Sequence, residues 1–391
     1  MSVETSKPIM HYCTKCTLPS TKPDLSFDEK GVCKACRNYE NRKEVDWDVR
    51  RKELATIFDR YRSKDSTRWD CVIPVSGGKD SHFQTLKALE MGMNPLCVTA
   101  TTCDLSEIGR KNIEVIKKLG VDYIEFSINP IIRHKMNRIG LMQVGDISWP
   151  EHASIFTIPV RAAVQFGVPL ILWGENAQNE YGGPASACET NVLDRRWLEE
   201  FGGLLGLRVT DLIGLEGIEK KNLIPLMYPS DADLARVGVT GLYLGYYISW
   251  DSYTNVLLAQ AHGFTTASNV IEGSIVTYEN LDNHQTGIHD YFKFLKFGFG
   301  RASDIASHHV RRGRLSRRDA MELVRMHDGK FPWTYLEKPV DKILAPLDIS
   351  VEEFIKICDR FTNKKLFVTD ARGNLVKDRH GNLTKLLYDN P

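Results

Sequence analysis

Residues 71–81, Cys-Val-Ile-Pro-Val-Ser-Gly-Gly-Lys-Asp-Ser, decide the reading of this chain. Cys71 to Val75 is a short apolar run of the kind buried in a parallel sheet. From Asp80 the apolar positions Phe83, Leu86 and Leu89 follow a helical period. Between them lies a Ser/Gly turn. Gly77 and Gly78 let the backbone come close to a ligand. The N–H groups of such a turn and of the first helical residues have no intrahelical partner, and the helix dipole favours negative charge there. The segment is therefore an anion site in prospect, although the G-x-x-x-x-G-K-[ST] spacing of a Walker loop is absent. An ordinary Gly-rich βα turn is the plainer alternative.

Outward from this stretch, strands and helices alternate. A helix over residues 46–62 leads in, and strand one covers 70–75. A helix from Asp80 to Met91 follows, then strand two over 95–100. A helix from about Ser106 to Leu119 stops at Gly120, and strand three covers 122–127. After less regular helical sequence come a helix over 151–165 and strand four over 168–173. A fifth strand is expected near 242–248. This alternation calls for an α/β fold, a doubly wound parallel sheet with right-handed crossovers. Ligands on such sheets bind beyond the carboxyl ends of the strands. That rule selects Val75, Ser76, Gly77, Gly78, Lys79, Asp80 and Ser81 after strand one, Thr99 and Thr101 after strand two, and Gly174 after strand four. Asp80 and Glu175 are hard oxygen donors suited to Mg2+. A carboxylate placed at a helix N-terminus is an equal explanation of Glu175.

The chain has 391 residues, a formal net charge of +1 and 42% hydrophobic residues. That length calls for two or three domains, and the near-zero charge counts against a nucleic-acid partner. No stretch reaches the roughly 18 apolar residues of a membrane span, and there is no secretory leader pattern. The expected location is the cytoplasm.

Four of the nine cysteines form two knuckles, Cys13-Thr-Lys-Cys16 and Cys33-Lys-Ala-Cys36, sixteen residues apart. The spacing fits a structural Zn2+ held by four thiolates with no open position. Paired redox cysteines are the alternative. Cys71, Cys97, Cys103, Cys188 and Cys358 are scattered and read as buried small hydrophobes. The expected organisation is a zinc-knuckle segment over 1–45, a nucleotide domain over 46–230 and a mostly helical domain over 231–391. Helical spacing recurs at 253–261, 289–297, 303–311 and 316–327, and the tail from Phe367 reads as short turns. Residues 291–330 hold ten Lys/Arg against four Asp/Glu, either a solvated face or a sign of an anionic partner.

The Ser76–Ser81 hexapeptide SGGKDS resembles the PP-loop of the ATP pyrophosphatases, which cleave ATP to AMP and pyrophosphate. Combined with the knuckles, Leu172-Trp-Gly-Glu-Asn176, Tyr291-Phe-Lys-Phe-Leu-Lys-Phe-Gly-Phe-Gly-Arg301 and Leu315–Val324, it is similar to the N-acetyl sugar amidotransferases of lipopolysaccharide and nonulosonic-acid glycan biosynthesis. The resemblance implies that ATP adenylates the acetamido oxygen of an anionic N-acetyl (nucleotide-)sugar and that ammonia then displaces AMP, giving an acetamidino sugar. Lys79, Asp80 and Ser81 would be catalytic, with Mg2+ on Asp80. Lys296 and Arg301 are candidates for the sugar, and His284 and His289 for a further role. The chain starts Met1-Ser2 and shows no glutaminase nucleophile, so ammonia is expected from a separate glutaminase subunit with a barrel partner like that of histidine biosynthesis. A tRNA thiolase is the alternative, although Cys97 and Cys103 form no C-x-x-C and only Cys358 lies in the C-terminal region. A zinc-knuckle binding module with a vestigial nucleotide fold is a third, less suited to an intact SGGKDS.

Overall fold

The structure is a computed structural model that describes residues 10–175, 192–193 and 204–386. Asn176 and Cys188 lie outside the described residues. Two helices, α1 (Lys34–Arg42) and α2 (Trp47–Tyr61), lead into β1 (Cys71–Pro74), α3 (Lys79–Glu90), β2 (Pro95–Ala100), α4 (Glu107–Lys117) and β3 (Asp122–Phe126). Then come α5 (Pro130–Val144), α6 (Trp149–Phe166), β4 (Leu170–Trp173), β5 (Val192–Leu193), α7 (Asp231–Val237) and β6 (Thr240–Tyr243). The sheet order is β3-β2-β1-β4-β6-β5, parallel throughout except for β5 at the edge. The order reverses between β1 and β4, and the crevice beyond such a switch point is where ligands bind. The strand alternation assigns the two faces. Cys71, Ile73, Leu170 and Leu172 pack with Phe58, Phe83 and Trp250 on one side. Val72, Ile171 and Trp173 pack with Ile158, Val160 and Ala163 of α6 on the other.

Helix α5 answers to signals the periodicity passes over. Asn129 accepts from the Ile131 N–H at 3.0 Å, Pro130 occupies the first turn, and Gly145 ends the helix at φ 61°.

Beyond the sheet, α8 (Ser252–Ala261) packs against α3, so the SGGKDS helix is covered by a segment from far along the chain. Helices α9 (Thr286–Phe297), α10 (Arg301–Arg311) and α11 (Arg317–His327) follow. After the small hairpin β7 (Thr334–Tyr335) and β8 (Lys338–Pro339) come α12 (Val340–Leu344) and α13 (Val351–Phe361). The core of this helical region, with Phe292, Leu295, Leu344 and Phe354, also takes in Leu141 of α5 and Ile147. The tail makes isolated bridges, Thr369 to Leu375 and Lys377 to Leu383. The amino-terminal knuckles dock on the same helices: Thr17 Oγ1 donates to Ser303 O at 2.8 Å, Thr21 Oγ1 to Phe297 O at 2.5 Å and Arg317 Nε to Cys13 O at 3.0 Å. Among the described residues no helix is long and apolar enough to cross a membrane.

Candidate active site and metal centre

The SGGKDS turn closes on itself. Ser81 Oγ accepts from the Ser76 N–H at 3.0 Å, and Ser76 Oγ from the Gly78 N–H at 3.3 Å. Gly77 sits at φ 89°, and a Cβ there would lie 2.8 Å from Ile113 Cγ1 and 3.2 Å from Gly109 O. Only glycine fits both the conformation and the approach of α4.

Lys79 does not reach into open crevice. Its side chain is 4% exposed, with Nζ 2.6 Å from Asp80 Oδ2 and 2.8 Å from Glu279 Oε1. Burial alone would push its ammonium down, but the two carboxylates outweigh that and hold it well above the ordinary lysine range. Asn255 of α8 donates to the other Asp80 oxygen at 2.8 Å. Tyr278 lies beside Lys79, its ring centroid 6.0 Å from Nζ. Behind it a relay runs to the basic segment. Burial, with Arg314 beside it, pulls His309 down to about 4, so the ring is neutral. His309 Nδ1 accepts from Arg314 Nε at 3.0 Å, which leaves the proton on Nε2 facing Tyr278 Oη at 3.2 Å. Arg314 in turn grips Asp251 through both oxygens, at 2.6 and 2.9 Å.

The other sequence candidates separate. Gly174 follows β4, where a Cβ would press on Trp250 at 3.3 Å, and its carbonyl accepts from the Gly245 N–H at 3.1 Å. A Cβ on Gly245 would lie 3.2 Å from Glu175 Cα, which fixes the backbone there. Asp80 and Glu175 do not belong to a preformed group of three metal donors among the described residues. Buried Thr99 donates to Val75 O at 2.7 Å and also meets Tyr123 Oη, so its hydroxyl supports the turn from below. Thr101 Oγ1 lies 3.4 Å from Glu125 Oε1. Lys296 donates to the carbonyls of Val144 and Gly145 at 2.7 and 3.0 Å, closing the end of α5. Arg301 holds Asp290 with two bonds of 3.1 and 3.0 Å. With Lys293 on Asp304 and Arg312 on Asp251, much of the basic excess at 291–330 is neutralised inside the protein. His284 Nδ1 sits 3.1 Å from Tyr335 O.

Sequence reasoning missed Glu279 and Asn255. Gly109 carried a sign of the first. A glycine within a helical period costs helix stability, and here a Cβ would lie 2.7 Å from Asp282 Cα, where the segment bearing Glu279 crosses α4.

Cys13, Cys16, Cys33 and Cys36 are buried, with their sulfur atoms within 4.8 Å of one another. Cys13 to Cys36 is 3.9 Å and Cys16 to Cys33 is 3.6 Å. A zinc–sulfur bond of about 2.3 Å gives a tetrahedral edge of about 3.8 Å, whereas a disulfide needs about 2.05 Å. Backbone N–H groups of Cys33 and Lys15 point at Cys13 Sγ, 3.2 and 3.3 Å away, as suits a thiolate. The four residues fit a structural zinc and not a redox pair. Cys97 and Cys103 are each pushed up to about 12 by burial.

The sheet order, the closed SGGKDS turn at its switch point and the four-cysteine cluster define an α/β protein with a helical carboxyl-terminal region. Residues 264–379 of that region match a family model described as LPS biosynthesis protein WbpG-like, C-terminal domain. No curated protein matches the chain. Among matching solved structures is NMN synthetase from Francisella tularensis, 13% identical over 52% of this chain and 93% of that one, with a TM-score of 0.29. At that score the likeness carries no argument.

Proposed function

We propose that the protein is an ATP-dependent amidotransferase of the PP-loop ATP pyrophosphatase type, acting in lipopolysaccharide or related surface-glycan biosynthesis. It adenylates the acetamido oxygen of an anionic N-acetyl (nucleotide-)sugar and exchanges it for ammonia, releasing AMP and pyrophosphate. One observation carries the reading. Glu279, inside the WbpG-like region, pairs directly with Lys79 of the SGGKDS turn, so the glycan-associated region and the phosphate loop build one site.

An amide oxygen is a poor leaving group, and transfer of AMP to it makes it a good one. The carbonyl oxygen attacks the α-phosphorus, the bond to the β-phosphate oxygen breaks, and pyrophosphate leaves. Ammonia then adds to the O-adenylyl imidate carbon, AMP departs, and one proton is released. The turn N–H groups, Ser76, Ser81 and Lys79 would bind the departing pyrophosphate, where charge develops. Lys79 must exchange its carboxylate partners for phosphate oxygens when ATP binds. Asp80 and Glu279 would then be free to hold Mg2+, with Glu175, just past the end of β4, as a further donor. Bound Mg2+ supplies charge neutralisation on the phosphates. A cleft of about 690 Å³ beside the start of α4, lined by Ser106, Thr266, Asn269, His284 and Lys338, has the size of a sugar site. Ammonia would come from a separate glutaminase subunit accompanied by a histidine-biosynthesis-like barrel partner, in the cytoplasm.

The tRNA thiolase reading loses ground on the thiols. Sulfur transfer needs a thiolate, and burial holds Cys97 and Cys103 protonated at neutral pH. The test is 31P NMR of the protein with Mg-ATP and ammonium chloride, with and without UDP- and CMP-linked N-acetyl sugars. Sugar-dependent AMP and pyrophosphate, with exchange of O for NH in the sugar by mass spectrometry, is the expected result. AMP release that requires tRNA and a sulfur donor would overturn it, as would ADP and phosphate. The Cys97→Ala and Cys103→Ala variants should keep the sugar-dependent activity.

A further inference from the structure

A second cluster of metal-binding side chains lies apart from the cysteines. Asp146, in the turn between α5 and α6, is buried, and its two oxygens are shared between two imidazoles. His289 Nδ1 of α9 is 2.8 Å from Oδ1, and His152 Nδ1 of α6 is 3.1 Å from Oδ2. One donor atom from each residue falls within 4.8 Å of the others. The two rings stand edge to face with centroids 5.1 Å apart, and both side chains keep partial access to solvent, at 24% and 28%.

From these residues we infer a binding site for a divalent first-row transition ion, held by Asp146, His152 and His289. Metal–ligand bonds of about 2.0–2.2 Å place neighbouring ligand atoms of an octahedron about 2.8–3.1 Å apart. The two nitrogen–oxygen separations, each to a different oxygen of Asp146, match that edge for a carboxylate that binds the ion through both oxygens. Two imidazoles and one carboxylate form a mixed set that first-row ions take readily. Mg2+ and Ca2+ prefer oxygen alone. Three protein donors leave coordination positions open, unlike the closed cysteine site.

The scaffold beneath is rigid. Asn137 Nδ2 of α5 lies 2.6, 3.0 and 3.2 Å from Ile147 O, Glu151 Oε2 and Gln285 Oε1, its two N–H groups shared among them, tying together the three segments that carry the ligands. Arg133 fastens Glu151, next to His152, with bonds of 3.1 and 2.7 Å. The Ser148 N–H donates to Asp146 Oδ1 at 2.9 Å and fixes the carboxylate. Lys296, the cation whose field Asp146 feels, is committed to the carbonyls that end α5. Because α6 runs into β4, its first turn, with Glu151 and His152, stands at the carboxyl end of the sheet, the end that carries the SGGKDS turn. The site joins the sheet domain to the WbpG-like region, which supplies His289.

The experiment is titration of Co2+ into the zinc-loaded full-length protein, followed by visible absorption, with zinc and cobalt content measured by mass spectrometry. We expect saturable uptake of one Co2+ per zinc-loaded chain, with weak d–d bands and no near-ultraviolet thiolate band. His289→Gln and His152→Gln should each weaken that uptake at least about tenfold while retaining zinc. A wild-type protein with no saturable uptake would overturn the assignment. So would cobalt that only displaces zinc into a thiolate-banded site, or uptake unchanged in both variants.

Discussion

Lys79→Met removes an ammonium and leaves an unbranched apolar stem between two carboxylates. In the wild type Nζ lies 2.6 Å from Asp80 and 2.8 Å from Glu279. At an effective dielectric of about 20, each such contact is worth about 6 kcal/mol of Coulomb energy before desolvation is counted. Desolvation cancels much of this, and removing one partner of a buried pair costs about 3–5 kcal/mol. Asp80 and Glu279 keep 30% and 16% side-chain exposure, so water reaches the stranded carboxylates. The expected loss is therefore near the lower end, about 3 kcal/mol. Urea unfolding at pH 7.5 measures it, in Lys79→Met, Glu279→Gln and the double variant. With Glu279 already neutral, Lys79→Met strands a single carboxylate, and its cost should shrink by about 1–3 kcal/mol. Equal costs in both backgrounds would refute the pairing. Undiminished AMP and pyrophosphate formation by Lys79→Met would remove the lysine from the phosphate machinery.

Gly77→Ala forces a Cβ to within 2.8 Å of Ile113 at φ 89°, and should cost about 1–3 kcal/mol and weaken ATP binding in calorimetry. Ile113 is itself in the core, so the clash shows in a double-mutant cycle: the cost of Gly77→Ala should shrink, but not vanish, in an Ile113→Ala background. Removal of zinc with a chelator, or Cys16→Ser, should detach the amino-terminal segment from Ser303 and Phe297 and lower the melting temperature; metal content should fall by one zinc per chain. Burial raises Asp282 from its ordinary value to about 6. A carboxyl raised on folding is stabilising only below its unfolded pKa and loses that contribution as pH rises through the folded value. Asp282→Asn should therefore be neutral at pH 4 and stabilising by about 1–3 kcal/mol at pH 8, measured by urea unfolding. A gain that is equal at both pH values would refute the buried-carboxyl account.

Local signals located the sheet. The run Pro95–Ala100 has the strand bounds read from its apolar residues, and β1, β3 and β4 each lie within the expected stretch, because a buried parallel strand writes its own pattern. The turn after β1 was readable for the same reason: its glycines and its serines answer to local backbone needs. The four cysteines, too, declare themselves by spacing, and their sulfur separations bear that spacing out. What was illegible is what comes from elsewhere in the chain. Asn255 reaches Asp80 because α8 lies on α3, and no period in residues 252–261 says which helix they will cover. Thr101, Lys296 and Arg301 are binding candidates by residue type alone, and each has a partner inside the protein. Residue type shows that a side chain can bind an anion, not whether a carbonyl or carboxylate already holds it.

The same distinction bears on how the site works. A phosphate loop whose lysine stood free would bind any polyphosphate. Here the lysine is already paired with Asp80 and with Glu279 from the WbpG-like region. In the proposed reaction ATP would have to displace two carboxylates to reach it, an exchange that is favoured when the displaced carboxylates find new cationic partners. Mg2+ bound with the nucleotide is such a partner. On this argument free ATP should bind far more weakly than Mg-ATP, and Glu279→Gln should narrow the difference by removing one of the two charges to be satisfied. Calorimetric titrations of the wild type and Glu279→Gln with each form measure it. Equal narrowing by a Glu to Gln change remote from Lys79, such as Glu352→Gln on the exposed face of α13, would mean that overall charge and not this exchange sets the preference.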